Sequence, residues 1–192
     1  YLAFEGFDTL NGTNHLAEKM MEGILRAGFE VYMVSSHSLG LASDVPDSLK
    51  HHSGFIYDIV PRQGIEKTNF VGRYFDGISY AFRCIRKWRK HRREIDVVIL
   101  QSTPTVFLSA VLLAFFMRKP IIFNSYDIFP DGPYLYGAIN GLVFRLLQAL
   151  QKLVYRCSSR IIAISEDMYN YLETAGVPAE KITVVPNWYD DT

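Results

Sequence analysis

The chain is predicted to fold as an α/β domain, a doubly wound, mostly parallel sheet of about seven strands with helices on both faces. Short apolar runs alternate with helix-period segments from one end to the other, which is the pattern of a parallel sheet with helical crossovers. Gly and Pro mark the joins between them. The composition is globular, with 49% hydrophobic and 21% charged residues and no low-complexity tract. A chain of 192 residues is long enough to bury roughly 70% of its unfolded surface in a single core.

Tyr1-Leu2-Ala3-Phe4 reads as the first strand, and Glu5 to Asn14 as a turn rich in Gly, Asn, Asp and Thr. From His15 to Arg26 the residues Leu16, Met20, Ile24 and Ala27 recur at helical spacing, and Gly28 stands where a C-terminal cap belongs. Phe29 to Ser35 is the second strand, completing a βαβ unit with a right-handed crossover. A polar excursion over 38–50 leads to a third strand, Gly54 to Val60, closed by Pro61. A helix of increasingly basic character follows from about Asn69 to Arg93. Asp96 to Leu100 is an apolar strand with Gln101-Ser102-Thr103-Pro104 as its exit, the proline suiting the first turn of the next helix. Ile121 to Asn124 is the next buried strand, and it empties into a polar-aromatic loop, Ser125 to Pro133. Gly141 to Arg156 is a helix and Arg160 to Ile164 a strand. Ser165-Glu166-Asp167 starts another helix, its acids favouring the helix dipole. That helix ends at Gly176, and Lys181 to Val185 is the last strand.

Several function classes drop out. Formal net charge is zero and no aromatic stacking motif accompanies the basic residues, which argues against nucleic acid as a partner. Cys84 and Cys157 have neither metal-ligand spacing nor a disulfide framework around them, and read as neutral thiols of a reducing cytosol. No signal peptide is visible, although strand-like sequence begins at Tyr1 and the natural start is expected a few residues upstream. The longest apolar run, Val106 to Met117, is shorter than the roughly 20 residues a bilayer span needs and reads as a helix packed on a sheet.

In an open parallel sheet ligands bind beyond the carboxyl ends of the strands, where loop amides and helix N-termini converge. Four strand exits carry polar residues suited to that place: Asn11 to His15, Gln101 to Thr103, Ser125 to Asp131, and Ser165-Glu166. Asn11-Gly12-Thr13-Asn14 is either a tight turn with a cap or a holder of a phosphate or sugar hydroxyl. It is neither the three-glycine dinucleotide fingerprint nor a P-loop. His15 in the first helical turn favours the neutral imidazole, a hydrogen-bonding form, or is an ordinary half-exposed histidine. Tyr126-Asp127 lies in a loop stiffened by two prolines and a glycine. A carboxylate fixed there suits binding of sugar hydroxyls or stabilisation of an oxocarbenium-like transition state, or else caps local amides.

The basic residues concentrate in one place. Arg83, Arg86, Lys87, Arg89, Lys90, Arg92 and Arg93 alternate with Phe82, Ile85 and Trp88. On a helix such a stripe suits an anionic membrane surface, with Trp88 and its apolar neighbours toward lipid, or is a solvated helix end with cations at its negative terminus.

With those residues in view, the whole chain resembles the N-terminal domain of a retaining GT-B glycosyltransferase of family 4. Asn11-Gly12 and Gly28-Phe29-Glu30-Val31 are similar to the family's Gly-Gly loop and Gly-His-Glu-Val strand entry, with Asn for the first Gly and Phe for the His. Ser102-Thr103-Pro104 resembles its Ser-Pro-Pro turn. Tyr126-Asp127-Ile128-Phe129-Pro130-Asp131 resembles its Arg/His-Asp-Leu-Trp-Pro-Glu/Asp loop. Arg160 to Glu166, Gly176-Val177-Pro178 and Lys181 to Asn187 follow in family order, and Pro186-Asn187-Trp188 is similar to the fucosamine-transferase-like branch that builds bacterial capsule or O-antigen units.

The resemblance implies an acceptor-binding domain, 1–186, with 187–192 beginning the linker to a second domain that holds the nucleotide sugar. It implies a lipid-linked saccharide acceptor, a cytoplasmic place at the inner face of the cell membrane, and no cofactor or metal. The reacting sugar would face Asp127, Tyr126 and His15. The cleft would be lined by Asn11, Gly12, Thr13, Asn14, Gln101, Ser102, Thr103, Asp131, Ser165 and Glu166. Tyr126 stands where members carry a His, so proton transfer is not expected from that position, and the domain by itself is expected to be inactive. Two rivals share the resemblance: a GT-B nucleotide-sugar epimerase, and a non-catalytic acceptor-binding subunit of a split transferase.

Overall fold

The computed structural model describes residues 12–38, 45–62, 70–102, 116, 118–137 and 139–187, with the side chains of 12–14, 36–38, 61–62, 70–74 and 133 outside the description. They fall into two compact units, one within Tyr1–Asp76 and Asn187–Thr192 and one within Gly77–Pro186. The expected first strand, Tyr1 to Phe4, and nearly all of the run from Val106 to Met117 lie outside the described residues.

The first unit holds α1 (Gly12–Arg26), β1 (Val31–Ser38), α2 (Asp47–Lys50) and β2 (Phe55–Arg62). The helix α1 starts at Gly12, so Gly12, Thr13 and Asn14 belong to its first turn and not to the loop expected from their composition. It buries Ala17, Met21 and Leu25, one residue round from the predicted row of Leu16, Met20 and Ile24, which is partly exposed. It ends as expected. Gly28 adopts a φ of 86°, its N–H donates to the Leu25 carbonyl at 3.0 Å, and the Phe29 N–H donates to the Ile24 carbonyl at 3.3 Å. Those two bonds are a Schellman cap, which needs a left-handed residue at that point. The strands β1 and β2 pair in parallel from Val31↔Phe55 to Ser38↔Arg62. β2 thus runs through Pro61 and does not close there; a parallel partner draws N–H donors only from alternate residues.

The helix α3 (Phe70–Trp88) crosses from the first unit's segment into the second. It stops at Trp88, and Arg89–His91 form a 3-10 turn, so the helix is shorter than the predicted span to Arg93. The second unit continues with β3 (Val98–Gln101), β4 (Ile121–Ser125), α4 (Asp131–Leu135), α5 (Gly141–Cys157), β5 (Arg160–Ala163), α6 (Glu166–Thr174) and β6 (Ile182–Val184). Its sheet order is β3-β4-β5-β6, every pair parallel. Right-handed crossovers between such sequential neighbours return over one face of the sheet. On it, Tyr155 of α5 meets Phe123 of β4 edge to face, centroids 6.1 Å apart, and α6 packs on β5 and β6. Phe123 and Asn124 point to opposite faces of β4 and both are buried, so this strand is covered on both sides.

Helix boundaries in the second unit have identifiable causes. The Asn140 side chain caps α5, accepting from the N–H groups of Leu142 at 3.1 Å and Val143 at 3.0 Å. Ser165 caps α6 by accepting from Met168 N–H at 3.2 Å, as the sequence predicts. Gly176, at φ 88°, ends α6 with a second Schellman cap, Val177 N–H donating to the Leu172 carbonyl at 3.0 Å and burying its side chain. The described residues hold six parallel-paired strands, each within a few residues of its predicted place.

Candidate functional site

The carboxyl ends of β3, β4 and β5 stand side by side, because Gln101 registers with Asn124 and Ser125 with Ala163. Gln101, Ser102, Asn124 and Ser125 are all buried there, a row of polar side chains at the sheet edge. The ladder continues one residue past β3: Ser102 N–H donates to the Asn124 carbonyl at 2.8 Å. Its hydroxyl then accepts from Tyr126 N–H at 2.9 Å. Ser102 therefore fixes the first residue of the loop that carries Asp127, and its role is to hold that loop. Ser125 Oγ reaches the Asp127 carbonyl at 3.5 Å, a long contact on the same turn.

The geometry leaves Tyr126 half-buried and Asp127 exposed at the edge. Phe129 and Pro130 are buried beneath the loop, so its far end is clamped by apolar packing. Asp131, the first residue of α4, accepts a hydrogen bond from the Tyr171 hydroxyl of α6 at 2.7 Å. Burial pushes the Tyr171 phenol up, and the hydrogen bond and charge of Asp131 push it further the same way. Tyr155 is raised to about 12, chiefly by burial, with the Gln151 amide acting against it and the Asp131 charge with it. The Tyr171 phenol is a neutral donor at physiological pH and ties α6 to the start of α4 behind the loop.

Of the residues singled out in the sequence, the structure gathers Gln101, Ser102, Tyr126, Asp127, Asp131, Ser165 and Glu166 in the second unit, on or next to this edge. They divide by task. Ser102 and Ser165 are occupied in holding backbone, Asp131 is held by Tyr171, and Asp127 and Glu166 present exposed carboxylates. Gly12, Thr13, Asn14 and the partly exposed His15 sit in the first turn of α1, in the first unit. Asn11 and Thr103 lie outside the described residues. Sequence reasoning missed Tyr171. No local signal marks a tyrosine that meets an aspartate 40 residues away.

The basic segment needs a correction. Trp88 is 1% exposed, and Ile85 and Cys84 are buried with it, so Trp88 offers no ring to a membrane. Tyr80, Ala81, Cys84, Ile85 and Trp88 form the i, i+1, i+4, i+5, i+8 face that a helix turns into a core. Arg86, Arg89, Lys90, Arg92 and Arg93 are exposed and Arg83 and Lys87 partly so, with Phe82 the exposed aromatic among them. Arg83 bends back to donate to the Ser79 carbonyl at 3.3 Å.

Residues 10–192 match the family model described as Glycosyltransferase Family 4. Among solved structures, the chain is similar to HepE from Anabaena, determined in complex with UDP and glucose, with TM-score 0.59 and 15% identity over 98% of this chain. It is also similar to WaaB, described as a lipopolysaccharide outer core galactosyltransferase in its apo form, with TM-score 0.53 and 14% identity over 97% of this chain. The chain spans 44% of the length of each. A comparison with curated protein sequences found no match.

Proposed function

The chain belongs to Glycosyltransferase Family 4 and its fold is the Rossmann-like half of a GT-B glycosyltransferase; from these premises we propose that it is the acceptor-binding half of an enzyme transferring a sugar, with retention, from a nucleotide-sugar donor to a lipid-linked saccharide. The observation that carries this reading is the family match over 10–192. The share of its structural relatives that the chain spans supports a second, donor-binding domain in the whole protein. The nucleotide carried by the HepE complex supports UDP as the donor's nucleotide. The likeness to WaaB supports an acceptor of surface-polysaccharide type.

Within that reading the residues divide the work. Asp127 faces the reacting sugar and accepts from its hydroxyls, or meets positive charge developing at the anomeric carbon. Tyr126 lines the same wall. Glu166 extends the acceptor surface across the edge. Charge on the departing diphosphate is met by helix dipoles and basic side chains.

The test is a donor screen on the intact protein with and without a polyprenyl-diphosphate saccharide. Acceptor-dependent release of nucleotide is expected, and Asp127→Asn is expected to lower kcat/KM about a hundredfold with the thermal unfolding midpoint unchanged. Sugar conversion without acceptor would identify an epimerase instead. Absence of turnover until a separate nucleotide-binding chain is added would identify a split enzyme.

A further inference from the structure

The helix α5 has two apolar faces. One packs into the second unit through Leu147, Gln151, Val154 and Tyr155. The other is open: Leu142 is 70% exposed, Leu146 63% and Leu153 42%, with Ala149 exposed between them. Positions 142, 146, 149 and 153 fall within about 60° of one another on an α-helix, a stripe about 16 Å long. Just before the helix, Leu135 and Tyr136 at the end of α4 are 81% and 90% exposed. A surface helix normally turns its second face polar; this one does not.

The charges beside the stripe are of one sign. Arg145, Lys152 and Arg156 are exposed along one flank of it, and no acid occurs anywhere in Gly141–Cys157. At the C-terminal end of the helix, Lys152 and Arg156 join Lys181 in lining a groove of about 410 Å³ with Gly176, Val177 and Pro178. Lys181 is anchored there, its ammonium donating to the Ser158 carbonyl at 3.0 Å and the Arg156 carbonyl at 3.4 Å. Leucines in a line, cations on one flank and a cationic groove at the end are complementary to acyl chains below a layer of phosphate headgroups. No helix among the described residues is long and apolar enough to cross a membrane, so the contact is with the surface.

We propose that α5 and the end of α4 form the surface by which this protein lies on an anionic bilayer, with Leu142, Leu146 and Leu153 in the acyl boundary and Arg145, Lys152 and Arg156 at the headgroups. This rests on and deepens the reading of a lipid-linked acceptor, whose lipid lies in such a bilayer. It also moves the membrane contact away from the basic end of α3, whose Trp88 is buried.

The experiment is cosedimentation of the intact protein with vesicles of phosphatidylcholine alone and with added phosphatidylglycerol. Binding is expected only to the second. Leu142→Gln with Leu146→Gln is expected to weaken it at least about tenfold, from the apolar area withdrawn. Gln at Arg86, Arg89 and Lys90 is expected to weaken it less than the leucine pair. A Tyr136→Trp variant gives an independent readout, an emission blue shift on anionic vesicles over the parent protein. The proposal is overturned if the leucine pair sediments like the parent, if the α3 set alone abolishes binding, or if light scattering shows a dimer that the leucine pair dissolves. Transfer to a water-soluble acceptor separates the two readings. Vesicle binding without transfer sinks the transferase and leaves the surface standing, while transfer without vesicle binding does the reverse.

Discussion

The helices α3 and α5 both end in cations and both carry large apolar residues, yet they spend them differently. α3 turns Tyr80, Ile85 and Trp88 inward and leaves Phe75, Phe82 and Arg86 exposed on its surface. α5 fills its inner face with one set of apolar residues and keeps a second set in the open. A tryptophan among cations in the sequence therefore does not say which way its ring faces.

The contrast is broken most sharply at Trp88. Trp88→Ala is expected to lower unfolding free energy by about 3–5 kcal/mol, as a cavity in a core does, while Phe82→Ala on the exposed side changes it by less than about 0.5 kcal/mol. Denaturant titration measures both. Equal small effects would return Trp88 to the surface. Trp88→Phe is expected to cost much less than Ala, because the buried indole N–H has no hydrogen-bond partner among the described residues and its loss removes an unsatisfied donor.

The inner face of α5 is tested by alkali. The folded-state pKa of Tyr155 is raised to about 12 from 10.0, so its contribution is intact below pH 10 and is lost as pH climbs toward 12. Two pKa units correspond to about 2.7 kcal/mol of stability withdrawn over that window. Tyr171 adds in the same direction. In Tyr155→Phe the alkaline slope is expected to become shallower, and an unchanged slope would show that the phenol is not held in the core.

The smallest effects concern how α5 begins and what its outer face does for folding. Asn140→Ala removes the side chain that caps Leu142 and Val143 and is expected to cost about 1 kcal/mol. Leu146→Gln is expected to leave stability within about 0.5 kcal/mol of the parent, since an exposed leucine contributes little to the folded state. A large loss on Leu146→Gln would mean that the stripe is packed, and the difference between the two helices would vanish.

Much of this was legible without coordinates, for reasons that are local. A glycine two residues past a helix satisfies a left-handed backbone, so Gly28 and Gly176 announced their caps. Ser165 with two acids after it announced the start of α6. Strands buried on both faces show as continuous apolar runs, so Ile121 and Ile161 fell where expected. Asp127 stands exposed past the end of β4, at the kind of strand exit where polar loops gather in a parallel sheet. What failed were the questions of facing. α1 offered two apolar rows, Trp88 admitted core or lipid, and the leucines of α5 covered both sides of the helix equally.

The sequence by itself determined the order of the strands and long helices, the caps at Gly28, Ser165 and Gly176, the sheet's parallel character and the family. Each of these rests on periodicity, on φ preferences or on motifs that act within a few residues. Only the tertiary structure decided that Ser102 holds the loop of Asp127, that Tyr171 meets Asp131, and that α3 hides its tryptophan while α5 shows its leucines. Those are contacts between elements distant in sequence, and burial is a property of the space between elements that no single stretch of chain contains.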